Sequence, residues 1–179
     1  EKIEVTGGTN KRVVATGVDV QRSKCTSLEL RREMEQALAI PLKEAETTEN
    51  DGYTILTMER ENRFRVELFA ESAPKDKNEV NGDSYACFEA GAHQYMIICD
   101  GMGSGMSAGL TSRLCVDMLS KMLSATGDTV SVLSMLNSIV RAKSEECSST
   151  VDLFEFDLIT GEGRFVKSGA CPSFVKRGK

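Results

Sequence analysis

Apolar residues recur along the chain with a period that changes several times, and each change marks a predicted element. Residues 13–20 are rich in β-branched side chains and predict a strand. Thr26 or Ser27 then caps a helix with Leu28, Leu30, Met34, Ala37 and Leu38 on one side and Arg31, Arg32, Glu33 and Glu35 on the other, stopped by Pro41. Residues 53–58 predict a strand, and residues 63–70 alternate Phe64, Val66 and Leu68 against Arg63, Arg65 and Glu67 as another. Strands at 84–89 and 94–99 flank Gly91-Ala92 and predict a hairpin. Residues 1–12, 44–52 (ending in an Asp51-Gly52 turn) and 71–82 are polar and predict loops.

The period then lengthens to that of a helix. Met106, Leu110, Leu114, Met118 and Met122 recur every fourth residue, with Cys115, Leu119 and Leu123 widening the stripe, and Ser104 or Ser107 at its cap. These methionines predict core filler. Gly127 ends this helix, and a second follows over 130–145 with Val132, Leu133, Leu136, Ile139 and Val140 inward. So short a connection makes the two helices antiparallel neighbours. Strands follow at 150–158, at 164–167 after the Thr160-Gly161-Glu162-Gly163 turn, and from Phe174 onward.

The chemistry concentrates where the apolar run Tyr95-Met96-Ile97-Ile98-Cys99 ends in Asp100 and a glycine-rich loop, Gly101-Met102-Gly103-Ser104-Gly105. The glycines allow sharp turns and close approach. A carboxylate there repels a phosphate unless a cation lies between them, and hard divalent cations prefer oxygen ligands. The bland alternative is an Asp-Gly turn. The hairpin brings Asp83, at the start of its first strand, beside Asp100, at the end of its second. Two carboxylates so placed repel unless a proton or a cation separates them.

Composition narrows the field without naming a function. The 179 residues suit one domain, or one domain with a smaller piece, and can bury a core unaided. A net charge of −5 argues against a nucleic-acid or anionic-membrane surface. The six cysteines include no CxxC pair and predict reduced, mostly buried thiols of a cytoplasmic protein. With His93 the one histidine, placed in a turn and expected to be exposed and inert, zinc is disfavoured. No apolar stretch approaches the roughly 20 residues of a membrane span. The chain opens in mid-pattern without methionine, as a fragment of something longer would.

The run Asn81-Gly82-Asp83-Ser84, with Cys99-Asp100-Gly101-Met102-Gly103-Ser104-Gly105, resembles the metal-dependent PP2C-type (PPM) serine/threonine phosphatases. Ser148-Ser149-Thr150-Val151-Asp152-Leu153 is similar to their GSTA strand, and residues 167–178 to their next hairpin. The wording is closest to the sporulation branch, the stage II sporulation protein E family. The resemblance implies an α+β fold, a PP2C-like α-β-β-α sandwich present in part, with two antiparallel helices at about 104–124 and 129–146 packed on β-sheet. It implies that residues 61–179 are the N-terminal part of the phosphatase domain. Residues 1–60, read as strand-helix-strand, would be a regulatory region that docks on the helix pair or mediates a homodimer.

The same resemblance implies a binuclear Mn²⁺ or Mg²⁺ centre that activates water without a covalent enzyme intermediate. Asp83 and Asp100 would be its catalytic metal ligands, Asp100 bridging two ions, and the Gly101 carbonyl a further ligand. The substrate would be a phosphorylated anti-sigma-factor antagonist protein, met on the cytoplasmic side, with any membrane anchor in upstream segments. The family's remaining metal-binding aspartates lie beyond the last residue here, which predicts that this stretch alone lacks the full centre and turnover. The arginine that grips phosphate in eukaryotic members has no match before Asp83, and Lys75 and Lys77 lie nearby.

Two rivals stand beside this reading. Gly103, Gly105 and Ala108 fit the G-x-G-x-x-A pattern of a dinucleotide-binding module, although Asp100 would then sit where the pyrophosphate binds. The chain would otherwise be a regulatory or scaffold piece that keeps the fold without its chemistry.

Overall fold

The computed structural model describes all residues except 1, 9, 18–24, 51–52, 74–79, 104, 143–147 and 179. The chain divides into two compact units, residues 1–64 and 65–179.

The first unit holds β1 (Lys2–Thr6), β2 (Arg12–Thr16), α1 (Ser27–Leu38), β3 (Glu46–Asn50) and β4 (Tyr53–Glu59). The strands form one antiparallel sheet in the order β1-β2-β4-β3. Val13, Ala15, Leu42, Leu56 and Met58 are buried, and Leu30, Met34 and Leu38 of α1 pack against them. Thr26 caps α1 in a reciprocal box: the Glu29 amide donates to its hydroxyl at 3.2 Å, and its own amide donates to the Glu29 carboxylate at 2.8 Å. The helix ends where Ala39 turns left-handed at φ 54°, two residues before Pro41. The expected strand-helix-strand is thus corrected to four strands and a helix. Segments 1–12 and 44–52, expected as loops, contain β1 and β3, which are exposed edge strands throughout. Residues 18–20 of the expected first strand and the Asp51-Gly52 turn lie outside the described residues.

The second unit holds β5 (Asp83–Ala90), β6 (His93–Asp100), α2 (Gly105–Thr126), α3 (Thr129–Ala142), β7 (Val151–Asp157) and β8 (Gly163–Ser168). Its sheet is antiparallel in the order β5-β6-β7-β8. Gly91, at φ 60°, opens the two-residue turn of the β5–β6 hairpin, a position that favours glycine. α2 packs across β5 and β6 and against α3. The core joins Tyr95, Ile97 and Cys99 of β6 with Leu119, Leu123, Val132 and Leu153. This is the mixed fold of helix pair on antiparallel sheet that the sequence predicts. Among the described residues of this unit there is one helix layer and one sheet layer, and the sheet's other face leaves Tyr85, Ile98 and Phe165 between 40% and 48% exposed.

Three local expectations are corrected here. Residues 63–70 carry the alternation of a strand, yet none forms, because alternation specifies two faces and not a pairing partner. Phe174 starts no strand and is 94% exposed. The inner face of α2 is Ala108, Ser112, Cys115, Val116, Leu119 and Leu123, while Met106, Leu110 and Leu114 are exposed. The first half of α2 therefore rests on small residues instead of the methionine stripe.

The thiols divide too. Cys99 and Cys115 are buried, Cys87 and Cys171 are exposed, and Cys147 is outside the described residues. Burial pushes the Cys99 thiol up to about 12, which keeps it protonated and inert.

At the His93 end of the sheet a carboxylate is buried among partners. Glu155 is 8% exposed. The Tyr95 hydroxyl donates to its Oε1 at 3.3 Å, and the Thr129 hydroxyl, at the start of α3, to its Oε2 at 3.1 Å. Arg164 reaches the same oxygen through Nε at 3.0 Å and again through Nη2. His93, half-buried on β6 and not in an exposed turn, stands 3.9 Å from Oε1. Burial, and then the Glu155 charge, push the Tyr95 phenol up to about 12.

Candidate functional site

The hairpin register sets Asp83 directly opposite Asp100. Both side chains lie on the sheet face away from α2 and are exposed at its rim. They meet as the sequence predicts, although seventeen positions separate them in the chain, because the two-residue turn fixes the pairing. Desolvation, and then the neighbouring Asp100 carboxylate, hold the Asp83 carboxyl above its ordinary value.

The backbone around this pair is held on three sides. The Asp100 amide donates to the Thr150 hydroxyl at 3.1 Å, and its carbonyl accepts from the Thr150 amide at 2.8 Å and the Ser149 hydroxyl at 2.9 Å. The Gly101 amide donates to the Gly82 carbonyl at 3.1 Å, and the Met102 amide to the Ser148 carbonyl at 2.9 Å. The Asp83 amide donates to the Asn81 side chain at 3.0 Å. The Ser148-Ser149-Thr150 string thus acts as a buttress beneath Asp100.

Two glycines are required by space. A Cβ on Gly101 would stand 2.0 Å from the Ala108 carbonyl oxygen in the first turn of α2. A Cβ on Gly109 would stand 2.8 Å from the Asn81 carbonyl. Gly82 serves the site differently. A methyl there would sit 3.7 Å from both the Asp100 Oδ1 and the Gly101 carbonyl oxygen, so its absence leaves open the space those two oxygens border. Two carboxylates and a carbonyl are the all-oxygen donor set that suits Mn²⁺ or Mg²⁺. Among the described residues no group of three acidic, histidine or cysteine side chains completes a cage. The residues present fit a partial, open cation site.

Other expectations fare differently. Ser104 as a cap, and Lys75 and Lys77 beside the site, lie outside the described residues. Gly103, at φ 102°, and Gly105, at φ 70°, shape the loop before α2. Ala108 packs in the core, and α2 leads into α3 and then into β7, which pairs antiparallel with β6. A dinucleotide fingerprint needs a strand, helix and parallel strand, so Gly103, Gly105 and Ala108 do not form one. Sequence reasoning missed Arg113 on α2, which lines a concavity together with Asp83. Its only signal was its place on the helix that follows the Asp100 loop.

Comparison with known proteins agrees with this geometry. The family described as stage II sporulation protein E (SpoIIE) matches residues 90–179. The chain is 36% identical over 130 residues to stage II sporulation protein E of Bacillus subtilis (strain 168), covering 72% of this chain and 16% of that protein. Its identity to the Priestia megaterium protein of the same name is 33% over 129 residues, covering 71% and 22%. The chain therefore spans less than a quarter of the length of these relatives. Among solved structures it resembles the PP2C phosphatase domain with a fragment of the regulatory domain of the cell fate determinant SpoIIE from Bacillus subtilis. The TM-score is 0.69 at 28% identity, covering 98% of this chain and 53% of that one.

Proposed function

Because the chain belongs to the stage II sporulation protein E family, we propose that its carboxylate rim serves a metal-dependent protein serine/threonine phosphatase. The observation that carries the proposal is the in-register opposition of Asp83 and Asp100, with the Gly101 carbonyl beside them. Bound Mn²⁺ or Mg²⁺ would supply a water of lowered pKa and a Lewis acid for the phosphoryl oxygens. The chain's own part is to position and to orient. Asp83 and Asp100 offer the anionic oxygens, and their mutual repulsion makes a cation the favourable neighbour. Thr150 and Ser149 fix the Asp100 backbone, so its carboxylate needs little reorganisation. Gly82 keeps the approach clear.

The substrate class we propose is a phosphorylated anti-sigma-factor antagonist protein, acted on at the cytoplasmic side. A homodimer mediated by residues 1–60 is part of the same proposal.

The test is phosphate release from such a phosphoprotein by the full-length protein, with Mn²⁺ and with chelator. Release is expected only with metal. Asp100→Asn is expected to slow it on the order of 10³-fold, since a metal's Lewis-acid contribution is several kcal/mol. Turnover that survives chelation, or survives loss of both carboxylates, overturns the proposal, and a scaffold role would then replace it.

A further inference from the structure

On the sheet face that carries the helices, a cavity of about 410 Å³ opens between α3 and the β7–β8 pair. That volume falls in the range of small-molecule sites. Its position follows from how α3 is held. The first turn of α3 is tied to β7 where the Thr129 hydroxyl donates to Glu155 at 3.1 Å. Four residue steps along β7, about 13 Å of extended strand, lead from Glu155 to Val151. The cavity lies at that far end. Leu133, Leu136, Asn137 and Val140 share one face of α3 and form its roof. Val151 and Val166 form its floor, with Cys115 of α2 at one side.

The polar part of the lining sets the kind of molecule that suits it. Ser148 and Ser149 border the cavity, and both have their hydroxyl hydrogens engaged. The Ser148 hydroxyl donates to the Met102 sulfur at 2.7 Å. The Ser149 hydroxyl donates to the Asp100 carbonyl at 2.9 Å, with the Thr150 carbonyl 3.1 Å away as a second acceptor. What these two serines have left to offer an occupant is oxygen lone pairs. The leucine and valine side chains call for an apolar body, and a charged head pressed among them would lose its hydration without return.

We propose that this cavity binds a small uncharged molecule with an apolar body and one hydrogen-bond donor, an alcohol or an aryl amine by class. The body lies against Leu136, Val140 and Val151, and the O–H or N–H is accepted by the Ser148–Ser149 pair. The site goes beyond the phosphatase reading and does not depend on it, because it lies on the sheet face opposite Asp83 and Asp100. Ser149 nevertheless serves both: the hydroxyl that borders the cavity is the one that steadies the Asp100 backbone.

The test uses the full-length protein and N-phenyl-1-naphthylamine, a neutral fluorophore with one N–H whose emission rises in apolar surroundings. A saturable rise is expected. 1-Octanol should displace the probe about fivefold better than 2-octanone, which has the same size but only accepts, the scale of one net hydrogen bond. Val140→Phe and Val166→Phe put a ring into the cavity from the helix and from the strand, and each should weaken probe binding about tenfold or more. Folding of each is checked by circular dichroism. Val140→Leu, one methylene larger, should weaken binding about threefold and keeps the test open where a ring disrupts the fold. Asp100→Asn should bind the probe as the parent does, so the result is independent of the phosphatase assay. The site is overturned by the lack of a saturable rise, or by affinity within about twofold of the parent in the folded filling variants. Equal displacement by 1-octanol and 2-octanone overturns the donor requirement and with it the proposed class.

Discussion

At one end of the β5–β8 sheet, Asp83 and Asp100 face each other at the rim, and desolvation, then its neighbour's charge, make Asp83 harder to ionise. At the other end, Glu155 lies under α3 with its oxygens taken by Tyr95, Thr129 and Arg164. Five residue steps along β6 carry the chain from Tyr95 to Asp100, about 17 Å of extended strand. The same residue class is therefore used in two ways on one frame. The satisfied carboxylate ties strand to helix. The unsatisfied pair costs stability and is left able to hold something else. A buried acid with every oxygen engaged marks structure, and an exposed pair with no cationic partner among the described residues marks a site.

This comparison can be broken by experiment. The largest effect expected is in Asp100→Asn, where phosphatase rate falls on the order of 10³-fold. The melting midpoint, read by calorimetry, holds or rises. A variant that unfolds would mean that Asp100 is structural after all. Glu155→Ala should do the reverse. Loss of a buried charged acceptor leaves the Tyr95 and Thr129 hydroxyls unpaired and should cost about 3 kcal/mol in urea unfolding. The rate per folded molecule should change little.

Tyr95→Phe removes one donor of the same cluster and should cost about 1 kcal/mol. Its pH dependence has a definite sign. The phenol rises from 10.0 to about 12 on folding, so its contribution is complete below pH 10 and is lost as pH climbs through 12. Parent and variant stabilities should converge over that window. The smallest effect on stability belongs to Asp83→Asn. Because the folded carboxyl sits above its ordinary value, the parent is relatively most stable when that group is protonated and loses this as pH rises through the folded value. The variant should therefore be the more stable at neutral pH, by less than about 1 kcal/mol for so exposed a pair, with the gap closing in acid.

Much of the site was legible in the sequence. The alternation of β5 and β6 and the Gly91-Ala92 turn suffice to set Asp83 against Asp100, because a two-residue loop leaves the register no freedom. Legibility failed where structure does not depend on burying large side chains. β3 is Glu46-Thr47-Thr48-Glu49-Asn50, a strand only because β4 pairs with it. The inner face of α2 begins with Ala108 and Ser112, which apolar periodicity overlooks, while Met106, Leu110 and Leu114 mimic a core stripe from the solvent side. Small residues mark close approach, and hydrophobicity scales do not score it. Arg113 escaped for a related reason. Its meaning depends on a concavity shared with another element, and its own helix carries no trace of that.

The missing methyl at Gly101 has a mechanical consequence. With the Ala108 carbonyl 2.0 Å from where that carbon would be, there is no slack between the strand end and the helix above it. The clearance is set as a machinist would set it, by removing material. A 22-residue rod resting on such a bearing cannot creep along its axis without dragging the 100–101 peptide along. The placement of two oxygens at the rim thus depends on where the rod sits.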